Sequence, residues 1–362
     1  MDKKRQMVFN LNNFLLAFSE VLNSKKVAYI ALNLGIKFGF DNKKLADLCS
    51  CALIFCLEKN SLKEFDFLDS SHLEDKTFQE IINFSTLICE NFDFSKNSIN
   101  QRVDALEFVK NNQKNFSKEL IENFFEISKN LTFWLDLENE SEIVIFIYSN
   151  LEDFTKALDF EDILKMTKVF HKLQNPKSNI LDSALKVTDF FEFEHKDKQI
   201  FLIATSLQNI GKLYISKDIL EKKEPLNLEE KEIIKSYPYY TKKVINSIMG
   251  FSDISSLSFK AQERLDGSGI FNLSSKDLSF KDRLIICLII YSALREQKAY
   301  REAFSHQKTI EIMQDMVNNK KIDESIVDIF DKILAWIFYK LLFTKLNKTI
   351  FYFFINLVNK TL

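Results

Sequence analysis

Residues 262–271 read QERLDGSGIF and hold two of the six glycines in this 362-residue chain. Turn-forming residues are scarce elsewhere too, since the chain has only three prolines. A many-stranded sandwich needs frequent turns, and this composition does not supply them. The sequence therefore predicts a mostly helical protein, in which Gly267 and Gly269 mark a loop of special geometry.

Bulk composition narrows the class of protein. A length of 362 residues favours two domains, and a hydrophobic content of 46% suffices for a buried core. The net charge of −2 gives no electrostatic support for nucleic acid as the main partner. No signal peptide is predicted at the N-terminus.

The cysteines are odd in number and lie in apolar helical patterns, which predicts reduced, buried thiols in a cytoplasmic protein. They are Cys49, Cys51, Cys56, Cys89 and Cys287.

Helical periodicity runs along most of the chain. Apolar residues within 27–34 follow the spacing of one buried helix face, and Gly39 is placed to end that helix. Asp41 is expected to cap the next helix, and Asn227 to cap a later one with Glu230 as its reciprocal partner. Further helices are predicted at residues 76–91, 99–112, 117–129, 164–174, 180–192, 198–209, 228–236, 239–249, 281–294, 306–318 and 323–339.

Two pairs of segments indicate an internal repeat. ALIFCLEK (52–59) aligns with TSLQNIGK (205–212), and NFSKELIENFFEI (115–127) aligns with KIDESIVDIFDKI (321–333). The flanking helices follow the same order in both halves, which predicts two copies of one helical unit. We therefore expect a first helical domain, a connecting helical segment, a second helical domain and a hydrophobic tail, at residues 8–129, 130–163, 164–340 and 341–362.

The C-terminal segment is apolar from Ile333 to Val358, but lysines at 340, 345 and 348 interrupt it. No window is long enough and free enough of charge to span a membrane. The pattern is compatible with a terminal helix packed on the domain, a helix on a membrane surface, a hydrophobic site for a partner, or a poorly constrained tail.

Three blocks of the second half carry a family likeness. They are SLQNIGKLYISKDILEKKEPLNLEEKEIIKSYP (206–238), QERLDGSGIF (262–271) and IIYSALREQKAYREAFS (289–305). In this order and spacing they resemble the HD-GYP family over residues 165–335. The resemblance implies an all-α fold with a shorter HD-like domain in front. It also implies a cytoplasmic bacterial phosphodiesterase that opens cyclic di-GMP at a site of two or three iron or manganese ions.

The metal ligands that the resemblance implies are replaced in this chain. Gln208 and Asn209 stand where the family has a His-Asp pair, and Tyr237 stands at the next histidine. Apolar side chains donate no electron pair, and amide oxygens are weak neutral ligands, so no bound metal is expected. The replaced positions are Leu181, Gln208, Asn209, Tyr237, Ala261, Gln262 and Ile289. In the first half Phe55 and Cys56 occupy the His-Asp positions, and the four histidines (72, 171, 195 and 306) lie outside the motif.

Other family positions are retained and form a candidate phosphate or nucleotide site. Lysine and arginine can make charge-assisted contacts to phosphate, and glycines permit positive φ and a close approach of backbone N–H groups to an anion. These residues are Lys212, Arg264, Asp266, Gly267, Ser268, Gly269 and Arg301, and Tyr300 also matches. The alternative is a structural loop whose turns require glycine, with Arg264 and Asp266 paired locally.

Three functions remain open from the sequence. The first is a catalytically inactive HD-GYP-like protein that binds a signalling enzyme, a response regulator or a second copy of itself. The second is a metal-dependent cyclic di-GMP phosphodiesterase with an unusual site. The third is a cyclic di-GMP receptor that does not cleave its ligand.

Overall fold

A computed structural model describes residues 7–55, 57, 62, 65, 67–95, 98–151, 155–298 and 301–335, with only the backbone described at 7–9 and 155–157. Cys56, Tyr300 and the tail 341–362, on which sequence predictions fall, lie outside the described residues. The prediction of an all-α protein is confirmed. The described chain is helical apart from one short antiparallel ladder, in which β1 (Met7–Asn10) pairs with β2 (Thr155–Leu158).

The first half contains helices α1 to α9, some of them very short. Their bounds are α1 Leu11–Leu22, α2 Lys25–Lys37, α3 Asn42–Leu53, α4 Ser70–Glu74, α5 Lys76–Asn91, α6 Ile99–Asn112, α7 Lys118–Ile127, α8 Leu131–Glu138 and α9 Glu140–Asn150. A 3-10 turn, Gln113–Asn115, follows α6.

The second half contains helices α10 to α19. Their bounds are α10 Phe160–Gln174, α11 Ile180–Phe190, α12 His195–Leu207, α13 Lys217–Leu220, α14 Leu228–Lys235, α15 Tyr237–Asn246, α16 Ser252–Lys260, α17 Phe280–Arg295, α18 His306–Asn318 and α19 Glu324–Leu334. A 3-10 helix, Ile210–Tyr214, joins α12 to α13.

The predicted helix ends are confirmed where capping residues were identified. Asp41 accepts a hydrogen bond from the Lys44 amide at the start of α3. Asn227 and Glu230 form the reciprocal capping pair at the start of α14. Gly39 has φ +69° just beyond α2, as expected for the residue that ends a helix.

The short helices α4 and α13 were not predicted, and neither were two longer ones, α1 and α16. Short polar residues interrupt the apolar pattern of both, with asparagines early in α1 and serines throughout α16. Buried hydroxyls in helices bond to their own backbone, as Ser258 does to the Ile254 carbonyl at 2.8 Å. Serine-rich segments can therefore be helical where packing favours it.

The two halves share one hydrophobic core. Helix α1 packs on α3 of the first half and also on α15 and the 210–214 turn of the second. The Phe18 and Phe170 rings stack at 3.9 Å between the halves. Asn13 fixes the contact, because its side chain donates to the Ser247 carbonyl and accepts from the Met249 amide, each at 2.9 Å. This arrangement places the second-half site residues against a fixed frame.

The described cysteines are free thiols, and three of them are buried, while Cys89 is partly exposed. Burial raises the pKa of the Cys49 and Cys287 thiols to about 12, so both stay protonated at neutral pH. Within the described ranges, the helices are too short or too polar for any to cross a bilayer.

Candidate ligand site

The centre of the site is the chain reversal after α12. Gln208 ends α12, and Gly211 lies in the 3-10 helix that follows. The Gly211 amide donates to Thr241 Oγ1 of α15 at 3.1 Å. A Cβ at Gly211 would lie 2.1 Å from the Tyr237 carbonyl oxygen. Only glycine therefore allows the turn to approach α15 this closely, which brings Gln208, Asn209 and Tyr237 together.

The side chains at the His-Asp positions carry unsatisfied acceptors. Gln208 is 3% exposed, and Gln208 Oε1 has no hydrogen-bond partner. Asn209 Oδ1 is likewise buried without a partner. A buried carbonyl oxygen without a donor is costly, so such atoms occur where a ligand or water completes them or where strain is tolerated. Both oxygens remain neutral and bring no negative charge to the site.

Lys212 points its ammonium at the replaced histidine position. Lys212 Nζ lies 4.7 Å from the centroid of the Tyr237 ring. Burial lowers the pKa of Lys212 to about 8, and the nearby charge of Lys298 acts in the same direction while Glu296 opposes it. Burial also raises the pKa of Tyr237 above its usual value, so the phenol stays protonated at neutral pH. Neither group offers a metal a charged oxygen.

The glycine loop is organised around a buried carboxylate. Glu263 is fully buried, and its carboxylate oxygens accept from the Phe271 and Leu273 amides, each at 2.9 Å. These two loop amides therefore bind an anion of the chain itself. Those two N–H groups are already satisfied, so a phosphate would have to displace Glu263 to use them.

The two glycines serve different geometric needs. Gly267 has φ +79°, a conformation that strains other residues, and a Cβ there would be in ordinary contact with the Asn272 carbonyl oxygen at 3.9 Å. Gly269 does not have positive φ, contrary to expectation. A Cβ there would lie 2.6 Å from Glu263 Cα and Cδ. Gly269 is needed because the backbone passes directly over the Glu263 side chain.

The remaining charged loop residues bind the backbone. Arg264 Nη1 donates to the Glu263 carbonyl at 2.6 Å, and burial lowers the pKa of the guanidinium. The expected pairing of Arg264 with Asp266 is not found; Asp266 accepts instead from the Ser268 amide and hydroxyl. Arg301 donates to the backbone carbonyls of Ala293, Leu294 and Glu302, and to the Glu296 carbonyl at the longer distance of 3.4 Å. The Arg301 side chain therefore caps the C-terminal end of α17.

The other replaced positions lie on the helices that enclose this centre. Leu181 is in the first turn of α11, and Ile289 is a buried residue of α17, which packs on α11. Ala261 is fully buried just after α16, and Gln262 follows it with partial exposure. Across the described chain, no three side chains of His, Cys, Asp or Glu come together in a way that could hold a metal ion.

Glu296 is an electrostatic centre that the sequence did not reveal. Its carboxylate accepts from Asn175 at 2.8 Å, Ser178 at 2.6 Å and Lys298 at 2.7 Å. Burial alone would raise its pKa, but these hydrogen bonds hold the pKa below its usual value. Its charge also acts on the buried His171, whose pKa is lowered by burial. Two partners lie more than a hundred residues earlier in the chain, so no local pattern could have shown this.

Comparison with known proteins agrees with this architecture. Residues 160–326 match a family model described as HD domain. The chain is 32% identical over 167 residues to the cyclic di-GMP phosphodiesterase PdeB of Borreliella burgdorferi, covering 46% of this chain and 43% of that protein. It is 28% identical over 113 residues to 3′3′-cGAMP-specific phosphodiesterase 3 of Vibrio cholerae, covering 31% of this chain and 25% of that one.

A second Vibrio cholerae protein, 3′3′-cGAMP-specific phosphodiesterase 1, is 23% identical over 224 residues, covering 59% of this chain and 52% of that one. The crystal structure of the cyclic GMP-AMP-specific phosphodiesterase V-cGAP3 of V. cholerae superposes with a TM-score of 0.49 at 14% identity, covering 91% of this chain and 98% of that chain. The matches span about half or less of each of the curated relatives.

The second half is therefore an HD domain, as the buried reversal after α12 and the family model both indicate. Its similarity to proteins named as cyclic dinucleotide phosphodiesterases supports the resemblance to the HD-GYP family that the sequence indicated.

Proposed function

We propose that this chain is a catalytically inactive HD-GYP-like protein that acts in cyclic dinucleotide signalling by binding. The observation that carries the proposal is the pair of neutral amide side chains, Gln208 and Asn209, at the positions where the family has His and Asp. They lie at the chain reversal after α12, where Gly211 and Lys212 match the family pattern. The curated relatives are named as phosphodiesterases of cyclic di-GMP and 3′3′-cGAMP, so a cyclic dinucleotide is the ligand class to test.

The chemistry of the site supports the loss of hydrolysis. A cluster of divalent ions requires imidazole nitrogens and several carboxylates, some of them bridging, to neutralise its charge. Here the corresponding side chains are amides, a protonated phenol and apolar groups, while Lys212 adds positive charge. These residues do not fit iron or manganese, and we derive no catalytic step through a metal.

The same charge distribution supports binding of a phosphate. Lys212 makes no hydrogen bond or ion pair with any described residue, and its ammonium lies near the phenol rather than near a carboxylate. Arg264 adds a second positive charge beside Tyr237. A phosphodiester brought to this place would give the buried ammonium a direct counter-ion, whereas Glu296 acts on it without an ion pair. Arg301 and the loop amides, which already bind within the chain, contribute less to this proposal.

Titration calorimetry with cyclic di-GMP and 3′3′-cGAMP, followed by analysis of the ligand recovered, tests the proposal. We expect saturable binding of a dinucleotide that is recovered intact, even with manganese added. Binding should weaken when Lys212 is replaced by methionine, because the ammonium is the group without a partner. If neither ligand produces heat, the proposal of nucleotide binding is contradicted, and binding to a protein partner is the form of the proposal that is left.

The alternative is a metal-dependent phosphodiesterase with an unusual site. Two observations favour this alternative. Lys212 matches the lysine of the family, and the relatives are named as phosphodiesterases. It predicts a cleaved dinucleotide in the same experiment, and that outcome would contradict the proposed loss of catalysis.

A further inference from the structure

A separate pocket of about 260 Å³ lies between the loop before α11 and the end of α17. We call it the α11–α17 pocket; its lining includes Lys177, Ser183, Tyr291, Ser292, Arg295 and Glu296. Its volume is slightly below the roughly 300–1,000 Å³ typical of drug-sized ligands. The pocket therefore suits a small molecule.

The α11–α17 pocket is lined by positions of α11 and α17 other than the replaced metal positions, and its lining residue Glu296 acts electrostatically on Lys212 of the candidate ligand site. Successive helical residues are rotated by about 100°, so side chains two positions apart project in nearly opposite directions. Ser183 is two positions from Leu181, and Tyr291 is two positions from Ile289. The same two helices thus present the candidate ligand site on one side and this pocket on another.

Two hydroxyls in the pocket have no partner. Ser183 is 4% exposed and Ser292 is 8% exposed, and neither hydroxyl forms a hydrogen bond within the described chain. Several other buried hydroxyls of this half bond to a carbonyl of the preceding turn, as Thr188 does to Ala184 at 2.9 Å. Two donors from opposite walls are therefore available to a ligand, and leaving them unsatisfied is unfavourable.

The surrounding charge favours an anion. Lys177 is exposed and forms no ion pair with a described residue. Arg295 adds a second positive charge while one of its nitrogens donates to the Phe304 carbonyl at 2.6 Å. The first turn of α11 begins at the pocket, and the positive end of the helix dipole favours an anion there. The charge of Glu296 is offset by its own donors, among them Lys298 at 2.7 Å.

We infer that the α11–α17 pocket binds the phosphate group of a small phosphorylated molecule. A phosphate carries up to two negative charges on a tetrahedral set of oxygens, so it can accept from both serine hydroxyls and balance the Lys177 and Arg295 charges together, whereas a carboxylate carries one charge on two oxygens in one plane. The inference does not depend on the proposed function, because the four side chains that would contact this phosphate are not residues of the candidate ligand site.

The inference is tested by titrating the full chain with inorganic phosphate at constant ionic strength and monitoring the titration through amide NMR chemical shifts. We expect saturable shifts at Leu181 and Asp182, in the first turn of α11. The double variant Ser183→Ala/Ser292→Ala should bind about tenfold more weakly, because hydrogen bonds to a charged ligand are lost. Its folding should be unchanged, since these hydroxyls make no internal bond. Lys177→Gln should also weaken binding severalfold.

Matched controls come from the same half. Ser255→Ala removes another buried, unpartnered hydroxyl, and Lys172→Gln removes an exposed lysine of α10; both should bind phosphate normally. Acetate should produce weaker shifts than phosphate. The inference is overturned if phosphate produces no saturable shift, if chloride produces the same shifts, or if the serine double variant binds as tightly as the Ser255→Ala control.

Discussion

The Lys212 ammonium lies 4.7 Å from the centre of the Tyr237 ring, where the HD-GYP likeness leads one to expect a histidine. The phenol stabilises the cation through its ring face and offers it no negative charge. Burial lowers the pKa of Lys212 to about 8, so the amine is still largely protonated at neutral pH. The site therefore places a cation beside a neutral phenol.

Replacing Lys212 with methionine should stabilise the fold at neutral pH by about 1–2 kcal/mol, because a poorly compensated buried charge is removed. The folded-state pKa of Lys212 is below its unfolded value of 10.5, so the unfolded state binds more protons between about pH 8 and that value. The stability of the wild type should rise across this window, and the advantage of the variant should shrink. Urea unfolding at neutral and alkaline pH measures both.

The exposed Lys172 provides the control for this effect. Lys172→Met should change the free energy of unfolding little at either pH, because its charge is already solvated. A Lys212→Met variant that is destabilised at neutral pH would show that the ammonium is compensated within the chain.

Glu263→Gln should destabilise the chain by about 1–3 kcal/mol. The amide has one acceptor oxygen where the carboxylate supplies two, so the Phe271 or Leu273 N–H would face another donor. Chemical denaturation measures the change, and Glu107→Gln on the exposed face of α6 is the control for loss of a charge. If both variants unfold alike, Glu263 does not organise the glycine loop.

Arg301→Lys should cost about 1–2 kcal/mol of folding free energy, because a lysine cannot reproduce the several carbonyl contacts of the guanidinium at the end of α17. We expect the affinity for a cyclic dinucleotide to stay the same in this variant. Unchanged stability with weakened nucleotide binding would instead assign Arg301 to the phosphate site.

Helices were predictable where local signals set their ends. Asp41 and the Asn227–Glu230 pair cap helices through contacts within a few residues, and the sequence displays them directly. Helix α1 was missed because its asparagines interrupt the apolar pattern. Asn13 instead bonds to backbone more than two hundred residues away.

Family likeness indicated which second-half residues lie near the reversal, but not what they contact. Gly267 and Gly269 look equivalent in sequence, yet one is required by φ and the other by the approach of Glu263. Arg301 was a candidate phosphate ligand and binds carbonyls instead. Such choices depend on which acceptor the fold brings closest, which the spacing of residues along the chain does not encode.

The measurement closest to the central claim is the iron and manganese content of the purified chain, together with its hydrolysis of cyclic di-GMP. It should be made on the wild type and on the Gln208→His/Asn209→Asp variant. We predict no stoichiometric metal and no cleavage in either, because Leu181, Ala261 and Ile289 still supply no ligand. A metal cluster in the wild type with metal-dependent cleavage would contradict the account.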